Sequence, residues 1–244
     1  LIPGTFLYFR EVLNTKIRTR EDIIRYTKYP LIGQVIDSKL NEFPAVLKEP
    51  NSVLTESYRT LRTNLQFIID ESVSNIMLVT SAIQGEGKSF TALNLASVYA
   101  FYGKKTILVD FDLRKSEIMA NLGIINNKGL SHYLSKNATL DEIIFSNEKI
   151  NFDILLSGPV PPNPSELISS SLTGEVLMEL KRRYDIIIID SPPLGIVSDG
   201  LLLYPYCDVL LLVVRYNYTS NEVFENVMLD LESRNIQKIN IILN

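Results

Sequence analysis

The stretch from Ala82 to Ser89, AIQGEGKS, has the residue types and the spacing of a phosphate-binding loop. An apolar run typical of a strand precedes it, and a helical pattern follows it. Gly85 and Gly87 allow backbone N–H groups to approach phosphate oxygens, and the helix adds the positive end of its dipole. Lys88 is expected to reach the β- and γ-phosphates, and the Ser89 hydroxyl to bind Mg²⁺. The stretch therefore predicts a site for ATP or ADP. The residues here that are predicted to bind the nucleotide are Gln84, Gly85, Glu86, Gly87, Lys88, Ser89 and the adjacent Phe90.

Two acidic motifs also follow apolar runs. Asp110 and Asp112 are alternate residues of an extended segment, so their carboxylates project to the same side. Beside a nucleotide they could hold Mg²⁺, and either one could accept a proton from an incoming hydroxyl. Asp190 ends a run of four isoleucines, the pattern of an aspartate that contacts a nucleotide-bound metal. The predicted metal ligands are Ser89, Asp110, Asp112 and Asp190, and the predicted catalytic residues are Lys88, Asp110, Asp112 and Asp190.

The elements that must position these residues alternate along the chain. Apolar runs rich in Ile, Val and Leu lie at 75–80, 106–110, 152–156, 186–190, 208–214 and 239–243, with helical patterns between them. Such alternation predicts an α/β fold of the P-loop NTPase type, with a mostly parallel sheet and helices on both faces. Ligands of such sheets bind beyond the carboxyl ends of the strands, which is where the three motifs lie.

The overall charge excludes some partners. Lys plus Arg total 24 and Asp plus Glu total 28, a formal net charge of −4, whereas a nucleic-acid-binding protein normally has a basic surplus. We therefore expect no nucleic-acid partner. The single cysteine, Cys207, excludes an internal disulfide and suits a reducing compartment.

The amino-terminal region differs from the rest. Residues 1–9, LIPGTFLYF, are apolar, and residues 10–28 contain six Lys or Arg against three acidic residues. This order is typical of the cytoplasmic end of a transmembrane helix, but a buried amino terminus fits the composition equally well. We divide the chain into a juxtamembrane segment and linker, 1–50, and a P-loop domain, 51–244. PLIGQVI at 30–36 is predicted as a short strand, and a long helix is predicted from Asn51 to Glu71.

The motifs together resemble those of the bacterial tyrosine kinases, the cytoplasmic domains of exopolysaccharide chain-length co-polymerases. The matching segments are AIQGEGKS at 82–89, DFDLR at 110–114, DSPP at 190–193, ESYRTLR at 56–62, PPNPSEL at 161–167 and LLVVR at 211–215. FREVLNTKIRTREDI at 9–23 is similar to the family's juxtamembrane segment. The resemblance covers essentially the whole chain.

The resemblance implies an ATP- and Mg²⁺-dependent protein-tyrosine autokinase that regulates exopolysaccharide or capsule synthesis and export. It implies a place on the cytoplasmic face of the bacterial inner membrane, reached through amino-terminal segments that this sequence lacks. The implied partners are further copies in a ring, polysaccharide synthesis and export proteins, and a cognate phosphotyrosine phosphatase. Arg215 is implied to bind the nucleotide, and Glu56, Arg59 and Arg62 to form the contact between ring subunits.

Two features depart from the family pattern. Family members carry a tyrosine cluster just past the final strand, whereas this sequence ends at INIILN. We therefore expect a fragment that binds nucleotide but lacks its preferred acceptors. Lys115-Ser116-Glu117 also offers no tyrosine where some members have a regulatory one.

Two alternative functions stay open. A nucleotide-gated scaffold of the polysaccharide machinery would use the acidic residues only to hold Mg·ATP, and would form no phosphotyrosine. A partitioning-type ATPase would release phosphate without any tyrosine. The related septum-site and partitioning ATPases carry an additional early lysine in their loop, whereas the only lysine of SAIQGEGKS is Lys88. This difference favours phosphoryl transfer to a hydroxyl.

Overall fold

The strands of the described residues form one sheet. The computed structural model describes residues 15–36, 44–123, 127–146, 150–195 and 199–244. The strands are β1 (Leu31–Gln34), β2 (Asn75–Ser81), β3 (Thr106–Asp110), β4 (Ile144–Phe145), β5 (Asp153–Leu155), β6 (Ile186–Asp190), β7 (Val209–Val214) and β8 (Ile239–Leu243). Their order in the sheet is β1-β8-β7-β2-β6-β3-β5-β4. Neighbouring strands are parallel except for β4, which runs antiparallel to β5.

Helices cover both faces of this sheet. They are α1 (Arg20–Tyr26), α2 (Ala45–Lys48), α3 (Val53–Leu65), α4 (Lys88–Phe101), α5 (Ile118–Leu122), α6 (Leu130–Leu134), α7 (Leu140–Ile143), α8 (Pro164–Ile168), α9 (Ser171–Arg183), α10 (Asp199–Leu203) and α11 (Asn221–Ser233), with a 3₁₀ turn at Tyr204–Tyr206. Strand side chains alternate between faces, so β6 contributes Ile187 to one apolar core and Ile188 to the other. Helices α9 and α11 pack on the first core, and α3 and α4 on the second. The predicted fold class is confirmed.

The predicted strands are all present, but one helix is shorter than predicted. The pattern from Asn51 to Glu71 forms a helix only over Val53–Leu65. Ser52 caps its start by accepting a hydrogen bond from the N–H of Thr55 at 3.2 Å. Beyond its end, the N–H of Phe67 donates to the Asn64 carbonyl and that of Ile68 to the Leu65 carbonyl. These hydrogen bonds span three residues instead of the four of an α-helix. The prediction was wrong at this end because the apolar pattern continues past the point where the backbone turns.

The amino-terminal part of the described chain belongs to the same sheet. The short strand predicted within 30–36 is present as β1, and it pairs with β8. Residues 1–14 and 37–43 lie outside the described residues, and with them the apolar stretch LIPGTFLYF. Within the described ranges, no helix is both long enough and apolar enough to cross a membrane. The division of the chain at residue 50, with a juxtamembrane segment before it, stays a prediction.

Candidate nucleotide site

Three neighbouring strands bring the predicted motifs together. Strand β2 lies between β7 and β6, and β6 lies between β2 and β3. In the register of the parallel ladder, Asp110 at the end of β3 pairs with Asp190 at the end of β6. Asp190 in turn pairs with Val79 of β2, just before the glycine-rich stretch. The acidic residues and the loop therefore meet at one carboxyl edge of the sheet, where α/β proteins bind ligands.

The loop between β2 and α4 depends on its two glycines. Gly85 has φ +84° and Gly87 has φ +91°, in the left-handed region that side chains disfavour. A Cβ on Gly87 would also lie 2.2 Å from Nδ2 of Asn244. Helix α4 begins directly afterwards at Lys88, so its N-terminal end points at the loop. This is the backbone arrangement that binds phosphate in other proteins.

Lys88 and Ser89 contact the acidic residues directly. Nζ of Lys88 lies 3.3 Å from Oδ2 of Asp112 and 3.4 Å from Oδ1 of Asp190. The Ser89 hydroxyl donates to Oδ2 of Asp190 at 2.6 Å. Lys88 is only 5% exposed and Asp190 is fully buried, so these charges interact in a poorly solvated environment. The predicted lysine, hydroxyl and carboxylates thus form one cluster.

Burial and mutual repulsion change the acidity of the cluster. Burial, followed by the charge of Asp190, raises the pKa of Asp110 to about 7. Burial also raises the pKa of Asp190, although Lys88 and the Ser89 hydroxyl oppose this change. Burial acts to lower the pKa of Lys88, but the neighbouring carboxylates, led by Asp190 and Asp112, outweigh it and raise that pKa. The lysine therefore stays charged and partly neutralises its acidic neighbours.

Asp110 and Asp112 face different surroundings. Asp110 is fully buried, and its carboxylate accepts from the N–H of Asp112 at 3.1 Å and from the hydroxyl of Ser116. Asp112 instead lines a cleft of about 120 Å³. That cleft is lined by Gln84, Lys88, Asp112, Arg114, Lys115, Glu117, Pro192 and Pro193. The sequence left both aspartates open as proton acceptor, and in the structure Asp112 is the one that faces the cleft.

The donor set suits a magnesium ion bound together with phosphates. The Ser89 hydroxyl and the Asp190 carboxylate lie side by side, and Mg²⁺ prefers such oxygen ligands. Across the described ranges, no group of three acidic, His or Cys side chains is arranged to hold a metal by itself. Mg²⁺ in nucleotide sites usually takes only one or two protein ligands, the rest being phosphate oxygens and water. The residues present therefore fit Mg²⁺ bound with a nucleotide.

The other predicted loop residues occupy different positions. Gln84 extends over the cleft and donates to Glu117 at 3.4 Å. Arg215 donates from Nη1 to the carbonyl of Gly85 at 2.8 Å, so it contacts the loop itself. The side chain of Glu86 is fully buried. Phe90 turns toward α3, where its ring centroid lies 6.2 Å from that of Tyr58.

Some contacts of the site have no sequence signal. Arg114 donates from Nε to the buried carboxylate of Asp199 at 2.8 Å and from Nη2 to Ser165 at 2.8 Å. These bonds join the segment after β3 to α8 and α10. The sequence pattern predicts no role for Ser165 or Asp199, because each contacts a residue that is distant in sequence.

The three residues predicted at the subunit contact do not share one environment. Glu56 and Arg59 form an exposed ion pair at 2.9 Å on α3. Arg62 is only 6% exposed, and its guanidinium stacks 3.4 Å above the ring of Tyr102. Glu56 and Arg59 are therefore accessible to another molecule, whereas most of Arg62 is occupied within its own chain. The subunit contact stays a prediction.

Comparisons with known proteins agree with the fold. A family model described as AAA domain matches residues 74–243. Tyrosine-protein kinase YwqD of Bacillus subtilis is 39% identical over 186 residues, which cover 76% of this chain and 78% of that protein. The chain belongs to the bacterial tyrosine kinase family.

Two further comparisons place this tyrosine kinase family member among its relatives. The kinase domain of Escherichia coli tyrosine kinase ETK superimposes with a TM-score of 0.86 at 29% identity, over 93% of this chain and 94% of that one. A putative tyrosine-protein kinase in the cps region of Klebsiella pneumoniae is 36% identical over 189 residues, 76% of this chain but 26% of that protein. The chain thus matches most of YwqD and only a small part of the longer relative.

Proposed function

We propose that this domain is an ATP- and Mg²⁺-dependent protein-tyrosine kinase that autophosphorylates between neighbouring copies. The observation that carries the proposal is the contact of Lys88 and Ser89, on a phosphate loop, with Asp112 and Asp190 at 2.6–3.5 Å. Relatives named tyrosine-protein kinases support the identity of the acceptor. The same names, one of them tied to a cps region, support a role in capsule or exopolysaccharide synthesis and export.

In this proposal each residue of the cluster has a defined task. The loop residues Gln84 to Ser89 and Arg215 hold the nucleotide, and Lys88 contacts its terminal phosphates. Ser89 and Asp190 hold Mg²⁺, with Asp110 and Asp112 as the further candidate ligands. Bound Mg²⁺ would supply positive charge to neutralise the phosphates.

Asp112 is the better candidate for the proton acceptor. A phenol has a pKa of about 10, so a tyrosine hydroxyl needs assistance at neutral pH. Asp112 lines the cleft, whereas Asp110 is fully buried and is not among the residues that line it. Asp112 would orient the hydroxyl and take its proton while the tyrosine oxygen bonds to the γ-phosphorus and ADP leaves. Asp110 would hold the segment in place through the N–H of Asp112.

The remaining assignments follow from the family. We propose that the domain acts at the cytoplasmic face of the bacterial inner membrane. Its partners would be further copies of itself in a ring that uses Glu56, Arg59 and Arg62, polysaccharide synthesis and export proteins, and a phosphotyrosine phosphatase.

The test is transfer of radiolabelled γ-phosphate from ATP to this chain extended by a tyrosine-rich segment. Lys88→Met and Asp112→Asn should each abolish phosphotyrosine, and the matched surface change Glu225→Gln should leave it unchanged, because Glu225 is exposed on α11. ATP binding without any phosphotyrosine would contradict the kinase proposal in favour of a nucleotide-gated scaffold. Steady phosphate release without phosphotyrosine would instead indicate an ATPase.

A further inference from the structure

We propose that the side chain of Glu86 is a positioning residue that shapes the phosphate loop together with Thr219, rather than a group that touches the nucleotide. This inference rests on the proposed function, because it concerns how the loop is prepared to bind phosphate. Glu86 stands between Gly85 and Gly87, where a carboxylate facing a phosphate would be repelled. Its side chain avoids this repulsion by turning inward, where it is fully buried.

The buried carboxylate of Glu86 is saturated by donors from two parts of the chain. Oε2 accepts from the N–H of Ile83, within the loop, at 2.7 Å. Oε1 accepts from the hydroxyl of Thr219, which is 133 residues away. Burial raises the pKa of Glu86, while the Thr219 hydroxyl and backbone N–H groups, including that of Ile83, act to lower it. The carboxylate therefore joins the loop to the turn that follows β7.

The same turn and the end of β8 also hold the carbonyl groups of the loop. Tyr218 donates from its hydroxyl to the Gln84 carbonyl at 3.1 Å, and Arg215 donates to the Gly85 carbonyl at 2.8 Å. Asn244 donates from Nδ2 to the Glu86 carbonyl at 2.8 Å. Three successive carbonyls of the loop are thus held by side chains from outside it.

These bonds determine where the loop directs its N–H groups. In a planar trans peptide the C=O and the next N–H point in opposite directions. Fixing the carbonyls of residues 84 and 85 therefore directs the N–H groups of residues 85 and 86 away from the 215–219 turn. Fixing the carbonyl of residue 86 likewise directs the N–H of residue 87 away from Asn244. Phosphate binds to loops through such aligned N–H groups. The hydrogen bond that Thr219 donates to Glu86 fixes the distance between the loop and the turn, and so keeps these N–H groups aligned.

The turn itself is anchored in two ways. The Thr219 side-chain oxygen also accepts from the N–H of Arg215 at 3.0 Å, which closes the turn. The backbone of residue 17 lies along it, since the N–H of Ile17 donates to the Thr219 carbonyl at 2.9 Å and the N–H of Asn217 donates to the Ile17 carbonyl at 2.8 Å. Thr219 is therefore a fixed point against which Glu86 can hold the loop.

The test measures ADP affinity by calorimetry in the presence of Mg²⁺, and the KM for ATP and kcat on a tyrosine-containing acceptor. Thr219→Val keeps the shape but removes the hydroxyl, and should raise the Kd for ADP about tenfold. Thr219→Ser keeps the hydroxyl and should restore the Kd to within about threefold. Glu86→Ala should raise the Kd at least about tenfold, and Glu225→Gln serves as the surface control.

Glu86→Gln tests whether ADP affinity depends on the hydrogen bonds of the Glu86 side chain or on its negative charge. Its amide oxygen can accept from the N–H of Ile83, and its amide NH₂ can donate to the Thr219 oxygen. We therefore expect the Kd for ADP to stay within about threefold of the unmodified protein. A loop that holds phosphate equally before and during transfer changes KM and leaves kcat nearly unchanged, so kcat at saturating ATP should vary little across the series.

The outcomes separate the two proposals. Unchanged ADP affinity in folded Glu86→Ala and Thr219→Val overturns the role of Glu86 alone. A lower kcat with unchanged KM also overturns the positioning role, because such a result would mean that the Glu86 side chain acts in the chemical step. Absence of ADP binding by the unmodified protein overturns the proposed function and this role together. If Glu86→Ala fails to fold, the Thr219→Val and Thr219→Ser pair decides the question.

Discussion

Asn244 lies so close to Gly87 that the structure predicts how much Gly87→Ala lowers the unfolding free energy. Gly87→Ala places a side chain on a residue with φ +91°, which costs about 1–2 kcal/mol of unfolding free energy. Its Cβ would lie 2.2 Å from Nδ2 of Asn244, so that side chain must move and lose its bond to the Glu86 carbonyl. The lost bond costs about 1 kcal/mol more, for a total of about 2–3 kcal/mol.

A second glycine provides the matched control. Gly103 has φ +82°, and a Cβ there would meet nothing within 4 Å. Gly103→Ala therefore measures the backbone cost alone, about 1–2 kcal/mol. Asn244→Ala alone should cost about 1 kcal/mol. The double change Gly87→Ala with Asn244→Ala should be no worse than Gly87→Ala by itself, because the same bond is already lost.

Urea unfolding of the four variants measures these free energies, and calorimetry with ADP measures the effect on the site. Gly87→Ala should weaken ADP binding, whereas Gly103→Ala, at the far end of α4, should not. If Gly87→Ala and Gly103→Ala were equally destabilised, or if the costs of Gly87→Ala and Asn244→Ala simply added, the contact between loop and Asn244 would not constrain the loop.

Three further predictions concern neighbouring groups. Arg62→Ala should lower the unfolding free energy by about 1–2 kcal/mol, because it removes the stack on Tyr102. Arg59→Ala should change it by less than about 0.5 kcal/mol. Chemical denaturation compares the two variants, and equal effects would contradict the burial of Arg62. The pKa of Asp110 is raised to about 7 in the folded state, so between about pH 4 and 7 this carboxyl is deprotonated in the unfolded state but still protonated in the folded state. The folded state therefore becomes less stable as the pH rises through that range. Without Mg²⁺, Asp110→Asn should therefore gain stability over the unmodified protein at pH 7.5 but not at pH 4, and a difference independent of pH would refute the shift. At saturating ATP, Asp112→Asn should lower kcat at least about a hundredfold, measured as phosphotyrosine formed, and near-normal turnover would exclude it as the proton acceptor.

Much of the fold could be predicted because the pattern is local. A strand buried on both faces must be apolar at successive positions, as the isoleucines of 186–189 are, and the turns that follow such strands must carry the polar chemistry. Parallel strands also place their carboxyl ends at one edge. The convergence of Lys88, Ser89, Asp112 and Asp190 therefore follows from topology.

What could not be predicted depends on contacts between distant residues. The inward turn of Glu86 requires a hydroxyl 133 residues away, and the burial of Arg62 requires Tyr102, just past the end of α4. Asp110 and Asp112 have different surroundings because the hydroxyl of Ser116 donates to Asp110, whereas Asp112 lines the cleft. The end of α3 was missed for a simpler reason, since Phe67 and Ile68 continue its apolar composition although both are exposed.

The most direct measurement of the central claim is a calorimetric titration of the unmodified protein with ADP, with and without Mg²⁺, beside Lys88→Met and Ser89→Ala. The cluster at the loop predicts saturable binding of one ADP per chain, strengthened by Mg²⁺. Lys88→Met should remove most of the affinity, and Ser89→Ala should remove most of the Mg²⁺ dependence. No saturable binding by well-folded protein, or equal binding by Lys88→Met, would contradict the assignment of this site to a nucleotide.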